Sequence, residues 1–287
     1  MLLILLVLLA VLERREPAGE EGPPAPVPVA DDQAAPVGER ADVEGPAAVE
    51  APRPEPPQPP APVPPSAQVA IVIDDVGYHD ELDALASGIP FPLTFAVLPG
   101  LASSAASAAR LRSAGGEIML HLPMEPERYP EKDPGPGALF TFMTHEEIRR
   151  TLREDLRLVP GVSGVNNHMG SLFTVREDLL KVVFEELRRH ELYFIDSRTT
   201  TSTAAQRVAR RHGVPSGRRS VFLDNEDDAD AIAAQLEQLF RVARDKRKAI
   251  GIGHYRETTL LVLASEVPRL RRKYPDVMLV HASHIVN

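Results

Sequence analysis

Short apolar runs alternate with longer amphipathic stretches from residue 69 to the end of the chain. Apolar runs of about four to seven residues between turn-forming residues are typical of buried strands, and apolar positions three and four apart are typical of helices. The pattern predicts eight strands, at residues 69–74, 93–99, 117–122, 164–168, 192–196, 221–224, 249–253 and 277–281. Strands that alternate with helices form parallel βαβ units, so we expect an α/β fold, either a closed barrel or a doubly wound sheet.

Three of the intervening helices have recognisable ends. Thr144 with Glu147, and Thr174 with Glu177, have the spacing of a capping box and precede amphipathic runs. Residues 227–246 begin acidic and end basic, as the helix dipole favours. These signals predict helices after residues 144, 174 and 227.

Two segments of unusual composition precede the first predicted strand. Residues 1–12 are apolar and uncharged, too short for a comfortable membrane span but of the length of a signal-peptide core. An uncleaved anchor, a cleaved signal or a start assigned too late would give this pattern, and we expect an exported, periplasmic or membrane-tethered protein of the cell envelope. Residues 13–67 contain 16 of the 28 prolines, 11 acidic and 4 basic residues, and are predicted to be a disordered linker.

Residues 68–287 are therefore expected to form one catalytic domain of about 220 residues. With 28 basic and 30 acidic residues this part is nearly neutral, and it has no basic stripe for nucleic acid. The chain has no cysteine, which excludes disulfides, thiolate metal ligands and a cysteine nucleophile.

Six ionisable side chains fall near the carboxyl ends of predicted strands: Asp74, Asp75, His121, His168, Asp196 and His254. In an α/β barrel these strand ends form one face, which carries the active site. Carboxylate and imidazole ligands suit zinc or another first-row divalent cation, and three protein ligands leave a position for water. A second carboxylate can then act as base and a histidine as acid, which predicts a metal-dependent hydrolase.

Six motifs follow one another in the order found in the divergent polysaccharide deacetylases, a branch of the NodB-type carbohydrate esterase superfamily: VIDDVG, LTFAVLPG, GGEIMLHLPMEP, GVNNHMGS, FIDSRT and AIGIGH. The chain resembles this family over nearly all of residues 68–285. The resemblance implies a distorted (β/α) barrel of seven to eight parallel strands. It also implies a metal-dependent hydrolase that removes N-acetyl groups from a polysaccharide.

The resemblance also implies roles for individual residues. Asp74 matches the catalytic base and Asp75 the metal-binding carboxylate. His121 matches the first histidine of an H-x-x-x-H metal pair, but Glu125 stands where the second histidine is usual. We expect His168 to be the third ligand, because imidazole replaces imidazole best, and keep Glu125 as the alternative.

Other residues are assigned supporting roles. His254 matches the general acid, and Asp196 matches a carboxylate that orients or tunes a catalytic group. Asn166 and Asn167 are candidates to fix the tautomer of His168. Arg198, which caps the next helix or binds substrate, and Asp224, at the end of the sixth strand, are further candidates for the same mouth.

The expected substrate is an N-acetylated glycan, either peptidoglycan or an exported polysaccharide. The alternative is a glycan-binding module of the same fold that has lost turnover. A phosphoester hydrolase has little support, because no Lys or Arg lies at the predicted strand ends. Trp is absent, so Tyr78, Tyr129 and Tyr255 are the candidates for stacking against sugar rings.

Overall fold

The computed structural model describes residues 66–286. The apolar segment 1–12 and all but the last two residues of the linker 13–67 lie outside the described residues. The described part contains nine strands: β1 Ala67–Val76, β2 Thr94–Val97, β3 Glu117–Met124, β4 Gly164–Met169, β5 Tyr193–Asp196, β6 Ser216–Arg218, β7 Val221–Phe222, β8 Lys248–His254 and β9 Val277–Leu279. It also contains seven α-helices: α1 Asp83–Ser87, α2 Ser104–Ser113, α3 His145–Leu158, α4 Glu177–Arg189, α5 Ala205–Arg211, α6 Ala229–Lys246 and α7 Glu257–Lys273.

The strands pair in parallel in the order β6-β5-β4-β3-β2-β1-β8-β7. The two outer strands of this order are separated along the chain only by Arg219 and Ser220. Because β6 pairs with β5 and β7 with β8, residues 216–222 close the barrel as one bent segment. The distorted (β/α) barrel predicted from the resemblance is thus confirmed.

Two strands differ from the sequence prediction. β6 was missed because its sequence, Ser-Gly-Arg, contains no apolar run. β9, expected as the eighth barrel strand, pairs only with Ala67–Val69 at the beginning of β1. It therefore extends the sheet at the end of the barrel that lies opposite the carboxyl strand ends.

Alternation along the strands separates two apolar layers. On β1, Val69 and Ile71 pack with the helices, whereas Ala70 and Val72 fill the barrel interior. On four strands, the residues that point into the barrel become polar at the carboxyl end of the strand. They are Asp74 on β1, His121 on β3, Asn166 and His168 on β4, and His254 on β8. The alternation thus directs these groups to one mouth.

The predicted helix starts have mixed outcomes. Thr144 and Glu147 form the capping box at the start of α3. The box predicted at Thr174 is wrong, because Thr174 lies in a 3₁₀ turn and donates its hydroxyl to the carbonyl of Gly170 at 2.7 Å. α6 begins after Asp228, whose side chain accepts the N–H of Ala231.

None of the helices between residues 66 and 286 combines the length and the apolar character that a bilayer crossing demands.

Candidate active site

Asp74 and Asp75 are neighbours on β1, and a regular strand would direct their side chains to opposite faces. The pairing of β1 with β2 shifts register between Ile73 and Val76, and Asp75 has a left-handed φ of 65°. A bulge of this kind redirects the side chains beside it. Both carboxylates consequently reach one imidazole, because Nε2 of His121 lies 3.7 Å from Asp74 Oδ2 and 3.1 Å from Asp75 Oδ1.

Asp75, His121 and His168 bring together one carboxylate oxygen and two imidazole nitrogens, all within 4.8 Å of one another. Nδ1 of His168 lies 3.0 Å from Asp75 Oδ1 and 3.0 Å from His121 Nε2. Tetrahedral zinc with bonds of about 2.1 Å separates its ligand atoms by about 3.4 Å. The three donor atoms therefore have nearly the spacing that such a site needs.

Asp75 Oδ1 is a buried oxygen that accepts no hydrogen bond of good geometry, although two imidazole nitrogens lie close to it. A buried charge without a directed partner is unfavourable unless a cation compensates it. The donor set of one carboxylate and two imidazoles, without thiolate, suits zinc or a similar cation. The residues present thus fit the metal that the resemblance implies.

Asn166 connects Asp74 with the candidate metal ligand His121. Its side-chain N–H donates to Asp74 Oδ1 at 2.7 Å, and its Oδ1 accepts from His121 Nδ1 at 2.7 Å. Because Asn166 Oδ1 can only accept, Nδ1 of His121 carries a proton and Nε2 is the ring nitrogen that can bind a cation. Of the two asparagines suggested by the sequence, Asn166 therefore orients His121 rather than His168.

His254 is held by Asp224. The backbone N–H of His254 donates to Asp224 Oδ2 at 2.6 Å, and Nδ1 lies 3.0 Å from Asp224 Oδ1. The hydroxyl of Thr259 also donates to Asp224 Oδ2, at 2.8 Å. This arrangement leaves Nε2 of His254 facing the site, 3.9 Å from Asp75 Oδ2.

The two adjacent carboxylates differ in acidity. Burial raises the pKa of Asp74, and this outweighs the opposing charge of His121. Burial also acts to raise the pKa of Asp75, but the contacts and charges of His121 and His168 outweigh it and hold that pKa well below its ordinary range. Asp74 is therefore the better proton acceptor, and Asp75 remains the anion.

His254 and His121 hold their protons more strongly than an ordinary histidine. Burial acts to lower the pKa of His254, but the hydrogen bond and charge of Asp224 outweigh it and raise that pKa. For His121, burial is likewise outweighed by the carboxylates of Asp74 and Asp75, which raise its pKa to about 9. A cation at the site must therefore displace a proton from His121.

Glu125, the alternative third ligand, accepts hydrogen bonds from residues of two loops. Its Oε2 accepts the N–H of Thr141 at 2.6 Å, and its backbone carbonyl accepts the N–H groups of Leu172 and Phe173. The structure thus groups His168, and not Glu125, with Asp75 and His121.

Among the described residues, Asp196 forms no hydrogen bond or ion pair with His254. On β5, Ile195 belongs to the barrel interior and Phe194 to the layer beneath the helices, so Asp196 continues the outward series of Phe194. Asp196 Oδ1 accepts the N–H of Arg198 at 2.9 Å. The carboxylate that orients the histidine is Asp224 rather than Asp196.

Asn167 and Arg198 shape the rim of the mouth. Asn167 donates to the carbonyl of Met169 at 2.8 Å and accepts the N–H of Ser197 at 2.9 Å, which joins the ends of β4 and β5. Arg198 has a φ of 52°, and its carbonyl accepts a hydrogen bond from Arg219. Their hydrogen bonds serve the loops and not the candidate metal ligands.

A sequence model of the divergent polysaccharide deacetylases matches residues 71–286. The chain belongs to this family. Among its relatives, the uncharacterised protein YibQ of Escherichia coli K12 is 37% identical over 226 residues, which are 77% of this chain and 68% of YibQ. An uncharacterised Haemophilus influenzae protein is 32% identical over 214 residues, 75% of each chain.

The fold of this family member is also seen in a solved structure, that of the uncharacterised protein ATU2773 from Agrobacterium tumefaciens C58. The TM-score is 0.73 at 24% identity, with 80% of this chain and 92% of that chain covered. At this level of identity the similarity establishes the barrel and leaves the chemistry to be argued from the site.

Arg219 is a cation at the mouth of the barrel that the sequence pattern did not reveal. Its Nε donates to the carbonyl of Ser197 at 2.7 Å, and its guanidinium lies 4.6 Å from the ring centroid of Phe222. Phe222 in turn packs edge-on against His254, with centroids 5.3 Å apart. Because no apolar run marks β6, the pattern predicted no strand end beside Arg219.

Proposed function

We propose that this protein hydrolyses N-acetyl groups of a polysaccharide with the help of a divalent cation, most simply zinc. The observation that carries the proposal is the position of an acid and a base beside the three candidate ligands. Asp74 Oδ2 lies 3.7 Å from His121 Nε2, and His254 Nε2 lies 3.9 Å from Asp75 Oδ2. Asp74 and His254 are also register partners on β1 and β8.

Asp75, His121 and His168 are the residues that would hold the cation. When bound, it would polarise the acetamide carbonyl and make a nearby water more acidic. Asn166 supports this function, since it fixes which nitrogen of His121 is offered.

Asp74 is proposed to be the general base. It is buried, its pKa is raised, and Asn166 holds its Oδ1 so that Oδ2 remains towards the site. In hydrolysis the water oxygen bonds to the carbonyl carbon and its proton passes to Asp74. A positioned base of this kind contributes roughly 10²–10⁴-fold to the rate.

His254 is proposed to be the general acid. Its raised pKa favours the protonated form, and Asp224 directs Nε2 to the site. As the C–N bond breaks, the amine nitrogen takes the proton of His254. The products are acetate and a free amine on the glycan.

The substrate is proposed to be an N-acetylated glycan of the cell envelope, either peptidoglycan or an exported polysaccharide. Family membership supports the class of substrate. The apolar segment 1–12 and the Pro-rich segment 13–67 support export or a tether at the envelope.

The second candidate is a glycan-binding module without turnover. The observation in its favour is Glu125 in place of the second histidine of the metal pair. The position of His168 favours the enzyme, because it supplies an imidazole nitrogen 3.0 Å from His121 Nε2.

The test uses the full chain, stripped with a chelator and reloaded with zinc. Elemental analysis gives metal content, and acetate release from N-acetylglucosamine oligomers and from peptidoglycan fragments gives turnover. Asp75→Asn is expected to lose the metal and Asp74→Asn to keep it while losing roughly 10²–10⁴-fold in turnover. Glu125→Gln is the matched control and is expected to keep the metal.

A wild-type chain that binds no metal after reloading would overturn the mechanism. A chain that binds metal and glycan but releases no acetate would favour the binding module. Loss of metal from Glu125→Gln, with retention in His168→Ala, would reverse the ligand assignment.

A further inference from the structure

Three aromatic rings form a cluster on the loop that follows β3, residues 125–144, here called the aromatic loop. The rings of Phe140 and Phe142 stack with centroids 5.1 Å apart and an interplanar angle of 17°, and the Tyr129 ring lies 4.8 Å from Phe140. Phe142 is 72% exposed and Tyr129 is 40% exposed. Large rings held in a stack yet left in water are typical of a binding surface.

The loop that carries the rings is fastened to the ends of two inner strands. Leu139 forms an isolated bridge with Met124, the last residue of β3, and the N–H of Leu139 donates to the carbonyl of Pro123. The N–H of Glu127 donates to Ser171 Oγ, beyond the end of β4. The loop therefore belongs to the rim above His121 and His168.

The same loop also reaches the side of the mouth formed by β1 and β2. A Cβ placed on Gly100, after β2, would contact Pro136 at 3.4 Å. Tyr78, after β1, is 55% exposed, and its pKa is raised by partial burial and by the charges of Asp75 and Asp133. Asp75, a candidate metal ligand, and Asp133, of the aromatic loop, thus both influence Tyr78. Tyr255, the third tyrosine considered from the sequence, is buried and donates to Asp83 Oδ1 at 2.7 Å.

We propose that Tyr129, Phe140 and Phe142 form a platform on which the pyranose rings of the glycan chain stack beyond the residue whose acetamide is cleaved. The proposal deepens the proposed function and rests on it, because it names an extended chain rather than a single sugar as the ligand. The C–H face of a pyranose is apolar and its rim carries hydroxyls. An exposed ring beside Glu127, Arg128 and Glu131 offers both kinds of contact.

Glu125 is the positioning residue of this platform. It is buried, and its Oε2 holds the N–H of Thr141, the residue between the two stacked phenylalanines. A glutamine can still accept this hydrogen bond, whereas an alanine leaves the N–H of Thr141 without its partner. The position that resembles a lost metal ligand therefore serves the substrate side of the site.

Affinity for N-acetylglucosamine oligomers tests the platform apart from catalysis. The full chain is titrated calorimetrically, with chelator present, against the hexamer and the monomer of β-1,4-linked N-acetylglucosamine. Phe142→Ala is expected to bind the hexamer about tenfold more weakly, the loss of one good ring contact, and to lower the ratio of hexamer to monomer affinity. Met278→Ala, at a 41% exposed apolar residue of β9, is the matched control and should bind the hexamer as the wild type does.

Glu125 supplies a second, independent readout. Glu125→Ala is expected to lower hexamer affinity, and Glu125→Gln to restore most of it, with zinc content the same in both. Equal hexamer affinity in wild type and Phe142→Ala would overturn the platform even if acetate release proves the enzyme. Phe142-dependent hexamer binding by a chain that releases no acetate would establish the platform while refuting the hydrolase.

Discussion

At the scale of single residues, the site depends on backbone conformation as much as on side-chain type. Asp75 adopts a φ of 65°, which asparagine and aspartate tolerate better than most other residues. The bulge is what allows two adjacent carboxylates to face the same imidazole, that of His121. Position 75 therefore has a conformational role beside its chemical one.

These two roles can be separated by substitution. In chelator, Asp75→Ala and Asp75→Asn both remove the charge, but only alanine pays the full cost of the left-handed conformation. We expect the alanine variant to be about 1 kcal/mol less stable than the asparagine variant. Urea unfolding of both variants measures the difference, and equal midpoints with equal slopes would contradict it.

Asp224 and Asp196 can be distinguished by a pH profile. Because Asp224 raises the pKa of His254, its loss lowers that pKa, and the acid form disappears at a lower pH. We expect Asp224→Asn to move the alkaline limb of the acetate-release profile to lower pH. Asp196→Asn should leave that limb in place, because the carboxylate of Asp196 accepts the N–H of Arg198 in its own turn.

Asn166 and Asn167 form a matched pair on one strand. Asn166 contacts Asp74 and His121, whereas Asn167 ties two loops. We expect Asn166→Ala to weaken zinc affinity about 10–100-fold, because His121 loses the group that orients it. Asn167→Ala should lower stability instead. Competition with a chromophoric chelator measures affinity, and equal losses in both variants would refute the assignment.

At the scale of elements, α3 carries a buried carboxyl group, that of Asp155, which forms no ion pair within the described residues. Asp155 lies beneath the aromatic loop, where a Cβ on Gly137 would overlap its carboxylate. Burial, with a smaller effect of Glu154, raises the pKa of Asp155 from 3.8 to about 8. The native state therefore holds a proton at Asp155 that the unfolded chain releases at lower pH.

This proton makes stability depend on pH. Between the unfolded pKa of 3.8 and the folded pKa of about 8, the native state binds the extra proton, so the free energy of unfolding falls as pH rises. Asp155→Asn removes this contribution. We expect the stability of the variant relative to wild type to increase from pH 5 to pH 8 in chelator. A constant difference in urea unfolding across this range would contradict the assignment.

At the scale of the whole molecule, the proposed cation is expected to stabilise the fold, because its three candidate ligands come from three strands. A ligand present at 100 times its dissociation constant stabilises by about 2.7 kcal/mol. Excess zinc should raise the thermal midpoint of the wild type and leave that of Asp75→Asn almost unchanged. The rise should shrink as pH falls, since His121 gives up a proton when the cation binds. A rise that is independent of pH would argue for binding elsewhere.

The sequence by itself determined the fold class and most of the candidate site. Apolar runs predicted eight of the nine strands, because a strand buried between helices and barrel interior must be apolar along its length. Asp74, Asp75, His121, His168 and His254 were identified because ionisable residues recur in phase with the ends of such runs, where one face of a barrel brings them together. The family resemblance added their proposed roles.

Only the tertiary structure decided which of these groups meet. β6 was too polar to be recognised as an apolar run, so Arg219, which follows it, was not predicted to lie at the mouth. Asp196 and Asp224 both follow strands, but alternation turns Asp196 outward while Asp224 reaches His254 across the β7–β8 pair. The sequence favoured His168 as the third ligand and kept Glu125 as the alternative. The structure separates the two, because Glu125 accepts the backbone N–H of Thr141 whereas His168 lies beside Asp75 and His121. Contacts between strands depend on strand register, on bulges and on how loops are anchored. These depend on residues far apart in the sequence, so a local pattern of apolar and polar residues does not predict them.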